Sequence, residues 1–285
     1  MARYLDPKND LVFKRIFGEH PHLLKSFLNA LMPLEEGRYI ESLEYLSPEN
    51  VPENPLKKFS IVDVRCKDNY GRYFIVEMQM QWSTVFPSRM LLNVSRSYSR
   101  QIDKGDDYDI LHPVYGLGIL NQSFDNKTPE FYHRYQMANC KNTSETIDGI
   151  EIILVELPKF KPESVEEKKM AVLWLRFLKE IKDGARVISG DLLANKEINE
   201  AVTICEEAAF TDMELYAYER YWMDISNEKS MLSNSFREGL AVGDQERQTL
   251  KQEISEKDRV LSEKDKALEA RDKEIEELKR LLNKQ

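Results

Sequence analysis

Residues 59–81 read FSIVDVRCKDNYGRYFIVEMQMQ, and the rest of the chain is arranged around this stretch. Two runs rich in Val, Ile, Phe and Tyr are joined by Asp68-Asn69-Tyr70-Gly71, residues that favour the positive backbone angles of a tight turn. The pattern predicts a β-hairpin. Asp63 in the first run and Glu77 in the second stand where strands prefer apolar residues, and alternation places Glu77 on the same face as Gln79.

Pairing of the two strands is expected to bring Asp63 and Glu77 together on one face of the sheet. Like charges at such a distance repel each other unless a cation lies between them. Carboxylate oxygens suit Mg²⁺, with Mn²⁺ as a substitute. The alternative interpretation is a pair of solvated carboxylates on the polar face of a half-buried hairpin.

The segments around the hairpin predict a mixed α/β sheet with flanking helices. Asn9 and Asp6-Pro7 are expected to cap a first helix that ends near Gly18, and a second helix follows Pro21. The predicted strands are residues 38–47, which pair with the Asp63 strand, and residues 114–120, 130–138 and 150–157. From residue 161 onward the pattern is helical.

A helix is predicted over residues 84–104, directly after the hairpin. Leu91, Val94, Tyr98 and Ile102 form its apolar stripe. Its other side carries polar and basic residues at helical spacing: Arg89, Asn93, Arg96, Arg100 and Lys104. Such a row can hold a DNA backbone through contacts that are blind to sequence. The alternative is a solvated helix face with no ligand.

Composition limits the classes of protein to which the chain can belong. It has 285 residues and a formal net charge of -9, which argues against coating nucleic acid by bulk attraction. We find no apolar run long enough to span a membrane and no signal-peptide core, so we expect a cytoplasmic protein. The three cysteines and four histidines are scattered, which disfavours disulfides, zinc binding and a Ser-His-Asp hydrolase.

The C-terminal residues 241–285 have a different composition from the rest of the chain. Four successive heptads, SEKDRVL, SEKDKAL, EARDKEI and EELKRLL, place apolar residues at intervals of seven. This pattern predicts a coiled coil and hence a homo-oligomer, although Lys257, Lys264 and Arg271 would occupy positions in its seam and weaken it. A single exposed helix stabilised by Glu/Lys pairs is the alternative.

Several motifs, taken in order, are similar to one known family. They are DPKNDLVFKRIFG at 6–18, SIVDV at 60–64, IVEMQ at 75–79, Arg89 and GDDYDILHPVYGLGIL at 105–120. This set resembles the recombination-promoting nuclease (Rpn)/putative transposase family of the PD-(D/E)XK nuclease superfamily. The resemblance covers roughly residues 1–160 and, more loosely, the helices to about residue 240.

The resemblance implies a restriction-endonuclease-like fold and a set of site residues. Asp63 and Glu77 would bind the metal, together with the backbone carbonyl of Met78 and with Asp10 from the first helix. Asp10 can also be read as a first-turn acid favoured by the helix dipole. Gln79 departs from the family pattern because it stands in the place of the motif lysine. It can orient water but carries no charge.

The sequence therefore predicts a Mg²⁺-dependent DNA endonuclease whose family label implies DNA breakage that promotes recombination. Arg89 matches the family pattern best among the predicted DNA contacts, which also include Arg96, Arg100, Lys104 and Lys14. The predicted domains are a nuclease-like core at 1–160, a helical region at 161–240 and a coiled-coil tail at 241–285. The alternative is a catalytically weak or inactive nuclease fold that acts as an interaction module through its tail.

Overall fold

The computed structural model describes residues 2–47, 49–50, 60–61, 63–124, 127–162 and 169–282. Phe59 and Val62 of the predicted hairpin lie outside this part. The strands are β1 (Leu43–Tyr45), β2 (Glu49–Asn50), β3 (Ser60–Ile61), β4 (Val64–Asp68), β5 (Tyr73–Gln79), β6 (Val114–Leu120), β7 (Tyr132–Asn139) and β8 (Asn142–Glu156). The α-helices are α1 (Asp10–Glu19), α2 (Pro21–Leu31), α3 (Phe86–Ser99), α4 (Lys169–Glu180), α5 (Gly190–Ala194), α6 (Lys196–Ile204) and α7 (Asp212–Leu282).

A six-stranded mixed sheet runs in the order β1-β4-β5-β6-β8-β7. β4 pairs antiparallel with β1 and β5, whereas β5, β6 and β8 are parallel neighbours, and β7 pairs antiparallel with β8. The short strands β2 and β3 pair with each other outside this sheet. The predicted mixed α/β architecture is confirmed, and it is consistent with a PD-(D/E)XK fold.

The β4–β5 hairpin forms as the turn chemistry predicts. Gly71 has a φ of 80°, and Asp68 Oδ1 accepts hydrogen bonds from the N–H groups of Tyr70 and Arg72. The Arg72 guanidinium closes the turn with a 2.7 Å ion pair to the buried carboxylate of Asp68. Asp63, however, lies in a bend just before β4 rather than inside a strand.

The last two strands of the sheet differ in length from the prediction. β8 begins at Asn142, eight residues before the predicted start, and its first half is exposed. Hydrogen bonding to β7 rather than burial holds this part, so the hydrophobic pattern gives no sign of it. A break in register between Gln136 and Met137 separates the exposed and buried halves of the pair.

Helices cover the two faces of the sheet. On one face α1, α2, α4 and α6 contribute to a large apolar core around Trp174. On the other face α3 packs on β5, β6 and β8. Gly116 and Gly118 of β6 permit this approach, because a Cβ on Gly116 would lie 2.8 Å from Met90 Sδ. The sequence predicts that a neighbouring element approaches these glycines closely, and α3 does so.

Helix α3 is shorter and turned differently from the prediction. It ends at Ser99, so Arg100 is its C-cap and Lys104 lies beyond the helix. Leu91, predicted to face the sheet, is 51% exposed, whereas Asn93, predicted to face solvent, is fully buried. A buried carboxylate beneath α3 explains the inward position of Asn93, because such a group needs hydrogen-bond donors.

The N-terminal helices follow the prediction closely. The Asn9 side chain caps α1 by accepting from the Leu11 N–H, and α1 ends at Glu19, one residue beyond Gly18. The N-terminal segment before α1 is bonded to distant loops: Leu5 N–H donates to the Cys205 carbonyl at 2.8 Å. None of the helices described here is long and apolar enough to cross a membrane.

The chain divides into two compact units, Met1–Ile225 and Ser226–Gln285. The second unit consists of the later part of α7, which continues as a helix to Leu282. Its apolar residues at heptad spacing, including Ile254, Leu261 and Leu268, are exposed. The predicted division at residues 160 and 240 stays a prediction.

Candidate active site

Asp63 and Glu77 lie side by side at the end of the β4–β5 hairpin. Val64 is opposite Val76 in the ladder, so the next position brings Asp63 level with Glu77. The bend at Asp63 directs its side chain toward β5, where Asp63 Oδ2 accepts a hydrogen bond from the Met78 N–H at 2.6 Å. A carboxylate thus takes the place that a backbone carbonyl would have in a longer ladder.

The surroundings of Asp63 disfavour its ionised form. Burial of the carboxyl is the main cause that raises its pKa to about 7, and the Met78 N–H partly opposes this rise. The negative charges of Asp10 and Glu77 raise the pKa further, whereas Lys14 lowers it. These charges act on Asp63 because α1 and β5 bring them next to the bend.

Glu77 is buried and held by α3. Its exposed fraction is 4%, and Asn93 Nδ2 donates to Glu77 Oε1 at 2.8 Å. Arg89 Nη2 donates to the other oxygen at 3.3 Å. Burial raises the pKa of Glu77, and the Arg89 charge and the hydrogen bonds from Asn93 and Arg89 oppose the rise. Two donors from α3 therefore fix the orientation of this carboxylate.

Gln79 positions Arg89. Gln79 Oε1 accepts a hydrogen bond from Arg89 Nη2 at 2.6 Å, and the guanidinium lies 5.1 Å from the centre of the Phe86 ring. The Arg89 side chain is 46% exposed, so its charge faces solvent beside the buried Glu77. The neutral residue in the place of the motif lysine thus holds a cation from the next helix.

Asp10 and Lys14 form an ion pair one helical turn apart on α1. The Lys14 ammonium is 2.8 Å from Asp10 Oδ1. Both side chains are partly exposed, and both influence the pKa of Asp63. The structure therefore brings Asp10 and Lys14 to the same edge as Asp63 and Glu77.

The predicted basic row on α3 is only partly gathered at this edge. Arg89 contacts Glu77 and Gln79, whereas Arg96 lies two turns further along the helix. Arg100 and Lys104 follow beyond the last turn. The basic residues therefore lie at increasing distances from the acids along the helix, and Arg89 is the nearest.

Asn93 and Arg65 are the neighbours of the site that sequence reasoning missed. The sequence pattern places Asn93 on the polar side of the helix, whereas a helical wheel centred on Phe86, Met90 and Val94 turns it inward. Arg65 lies two residues after Asp63 on β4, opposite Ile75. Burial and the nearby charge of Arg100 lower the pKa of Arg65, so Arg65 lies close to the arginine that caps the C-terminal end of α3.

Comparison with known protein families shows the family to which the chain belongs. A family model described as PD-(D/E)XK nuclease family transposase matches residues 7–235. The chain belongs to this family. The match extends well beyond the sheet into the first turns of α7, so this PD-(D/E)XK transposase domain includes the helices that follow β8. Neither a curated protein nor a solved structure matches the chain significantly.

Nucleases of the PD-(D/E)XK family generally use divalent metal ions, and the donor set here fits a hard cation. Asp63 and Glu77 present carboxylate oxygens that repel each other, a situation that a cation relieves. Among the described residues no group of three or more His, Cys, Asp or Glu side chains is arranged to hold a metal. A Mg²⁺ ion needs only one or two carboxylates, with water and phosphate as further ligands.

Proposed function

We propose that this protein is a Mg²⁺-dependent DNA endonuclease that hydrolyses phosphodiester bonds. The proposal rests on one observation: the carboxyl groups of Asp63 and the buried Glu77 lie next to each other, beside the solvent-facing charge of Arg89. The family match supports a nuclease or transposase-like role. Breakage of DNA by such an enzyme would promote recombination.

In this proposal Asp63 and Glu77 would hold the metal ion together with the Met78 carbonyl. Asp10, which is paired with Lys14 and does not complete a group of three acids in the described structure, would join the ligands only by leaving Lys14. The bound ion would acidify a water molecule and offset the charge that develops on the phosphate. Arg89, held by Gln79, would donate to a phosphate oxygen and stabilise the same charge. Gln79 cannot exchange a proton, so its part is to orient Arg89.

The hydrolysis joins a water oxygen to phosphorus and breaks one phosphorus–oxygen ester bond, and the departing sugar oxygen takes a proton. Asn93 keeps the Glu77 carboxylate oriented while this happens, because it is buried and bonded to one carboxylate oxygen. Arg96, Arg100 and Lys104 are proposed to contact phosphates farther from the reacting bond, and Lys14, which lies near Asp63, a phosphate closer to it. These contacts would be sensitive to salt.

The test is cleavage of supercoiled plasmid by matched preparations of the wild type and Asp63→Ala. We expect cutting with Mg²⁺ or Mn²⁺, none with EDTA, and none by Asp63→Ala, because a metal ligand is lost. Asp107→Ala, which removes an exposed acid, is the control and should cut like the wild type. Survival of the plasmid at high enzyme concentration with both metals would reject the endonuclease.

A second candidate is an interaction module that acts through a coiled-coil tail. The exposed heptad residues of α7 in the second unit favour it. Self-association through this tail is also compatible with the nuclease, because cutting both strands of a duplex suits a symmetric dimer. Asp63→Ala separates the two candidates, since a module that only binds partners would keep its binding when this acid is removed.

A further inference from the structure

A cavity opens at the same edge of the sheet as Glu77. It has a volume of about 740 Å³, and Met80, Asn121 and Leu157 line it where β5, β6 and β8 end. Met80 directly follows Gln79, and the Asn121 N–H donates to the Gln79 carbonyl at 3.0 Å. The carboxyl ends of parallel strands are the usual place for ligands in α/β proteins. The cavity and Glu77 thus lie on either side of the end of one strand.

Buried hydrogen bonds hold the walls of this cavity in place. The Tyr218 hydroxyl of α7 accepts from the Asp6 N–H and donates to Asp183 Oδ1, both at 3.0 Å. The buried Lys8 ammonium is 2.7 Å from Asp6 Oδ1 and donates to the Leu178 carbonyl at 2.9 Å. Segments distant in sequence therefore meet in a preformed cavity, and its volume is in the range of small-molecule sites.

The side chains that line the cavity include four cations and four acids, so their formal charges balance, but their pairing leaves two lysines without an acid. The acids Asp6, Asp183 and Glu207 are already paired with Lys8 or Arg3. Lys179 donates only to the carbonyls of Pro158 and Phe160, and Lys182 has no side-chain partner among the residues that the structure describes. Glu219 remains as an acceptor for a hydroxyl or amino group of a ligand.

The rest of the lining is apolar. Leu5, Met80, Leu157, Leu215 and Trp222 contribute to it. A ligand that fits this lining therefore needs an anionic group for the lysines, a hydrogen-bond donor for Glu219 and an apolar part that packs beside Trp222 and the aliphatic side chains. We propose that the cavity binds a nucleotide. The proposal deepens the endonuclease function, because a DNA strand lying across the end of β5 would reach both the cavity and Glu77.

The nucleotide that the cavity binds is either one unit of a bound DNA strand or a free mononucleotide. Titration calorimetry of the full chain in EDTA, where cutting cannot interfere, distinguishes them with dAMP, inorganic phosphate and a single-stranded tetranucleotide as probes. We expect saturable binding of dAMP and much weaker binding of inorganic phosphate. If the tetranucleotide also saturates the cavity, the ligand can be part of a DNA strand. If the tetranucleotide does not bind, the ligand is a free mononucleotide.

The variant to compare is Lys182→Ala, which removes an exposed side chain. It should weaken nucleotide binding about tenfold, the scale of one charge-assisted contact. Lys141→Ala removes an exposed lysine from the β7–β8 turn and should bind like the wild type. Wild-type binding in Lys182→Ala, equal affinity for phosphate and dAMP, or no saturation by either nucleotide probe would overturn the proposal.

The endonuclease proposal can fail separately. Asp63 does not line the cavity, so Asp63→Ala should bind dAMP like the wild type whether or not it cuts DNA. A chain that binds dAMP and does not cut plasmid would keep the cavity assignment and lose the endonuclease.

Discussion

Asp63 is a residue at which folding opposes ionisation. Burial, together with the charges of Asp10 and Glu77, raises its pKa from 3.8 to about 7. Between these two values the folded chain holds a proton that the unfolded chain has released. Without metal, this group therefore makes the free energy of unfolding fall as pH rises from about 4 to about 7, after which its contribution is constant.

Asp63→Asn should remove this dependence while keeping an acceptor for the Met78 N–H. We expect a flatter profile of unfolding free energy against pH than in the wild type, measured by urea denaturation in EDTA. Asp107→Asn, at an exposed position, serves as the control and should follow the wild-type profile. Parallel profiles for Asp63→Asn and the wild type would show that Asp63 titrates at an ordinary pKa.

Asn93 stabilises the buried Glu77 carboxylate. Its removal leaves Glu77 Oε1 without the 2.8 Å donor that it has now. We expect Asn93→Ala to lower the free energy of unfolding by about 1–3 kcal/mol at neutral pH, the usual cost of an unsatisfied buried group. Asn199→Ala, at an exposed position on α6, should change it by less than about 0.5 kcal/mol. Equal effects in urea denaturation would contradict this role.

At the scale of elements, sequence patterns predict those parts that are either buried on one face or closed by special turn residues. The β4–β5 hairpin satisfies both conditions, and the Asn9 cap and the β6 glycines are equally local signals. The first half of β8 has no buried face, so its ladder with β7 leaves no periodic trace. Asp63 and Asn93 are placed by hydrogen bonds between distant elements, which no local pattern records.

The contact between α3 and β6 depends on the missing side chain at Gly116. An added Cβ would lie 2.8 Å from Met90 Sδ and 2.9 Å from Val94 Cγ1. Gly116→Ala should therefore push α3 from the sheet and lower the free energy of unfolding by about 1–3 kcal/mol. It should also slow cleavage, because α3 carries Arg89 and Asn93.

Gly239→Ala is the matched control for this change. Nothing lies within 4 Å of the Cβ that it would add. In a helix this substitution should raise stability by up to about 1 kcal/mol. Thermal or urea unfolding of both variants checks the pair. Unchanged stability in Gly116→Ala would mean that α3 moves without cost.

At the scale of the whole molecule, the exposed heptad residues of α7 are expected to drive self-association. Leu261→Lys with Leu268→Lys should convert oligomers to monomers in sedimentation velocity, because two positions that the coiled-coil seam would bury become charged. Ser255→Lys with Ser262→Lys adds the same charge beside the seam and should leave the oligomer intact. Monomeric wild type would favour the single exposed helix.

The bonding partners of the first residues also determine at what stage of synthesis the N-terminal segment can reach its final position. Tyr4 bridges to Ala185 and Glu206, and the Leu5 N–H donates to the Cys205 carbonyl. While the ribosome is still making the middle of the chain, these partners are absent, so the segment before α1 lacks these backbone hydrogen bonds. It can take its final place only after the segment that reaches residue 206 has emerged. A fragment that stops before residue 206 should therefore be cut by proteases near its N-terminus more readily than the full chain.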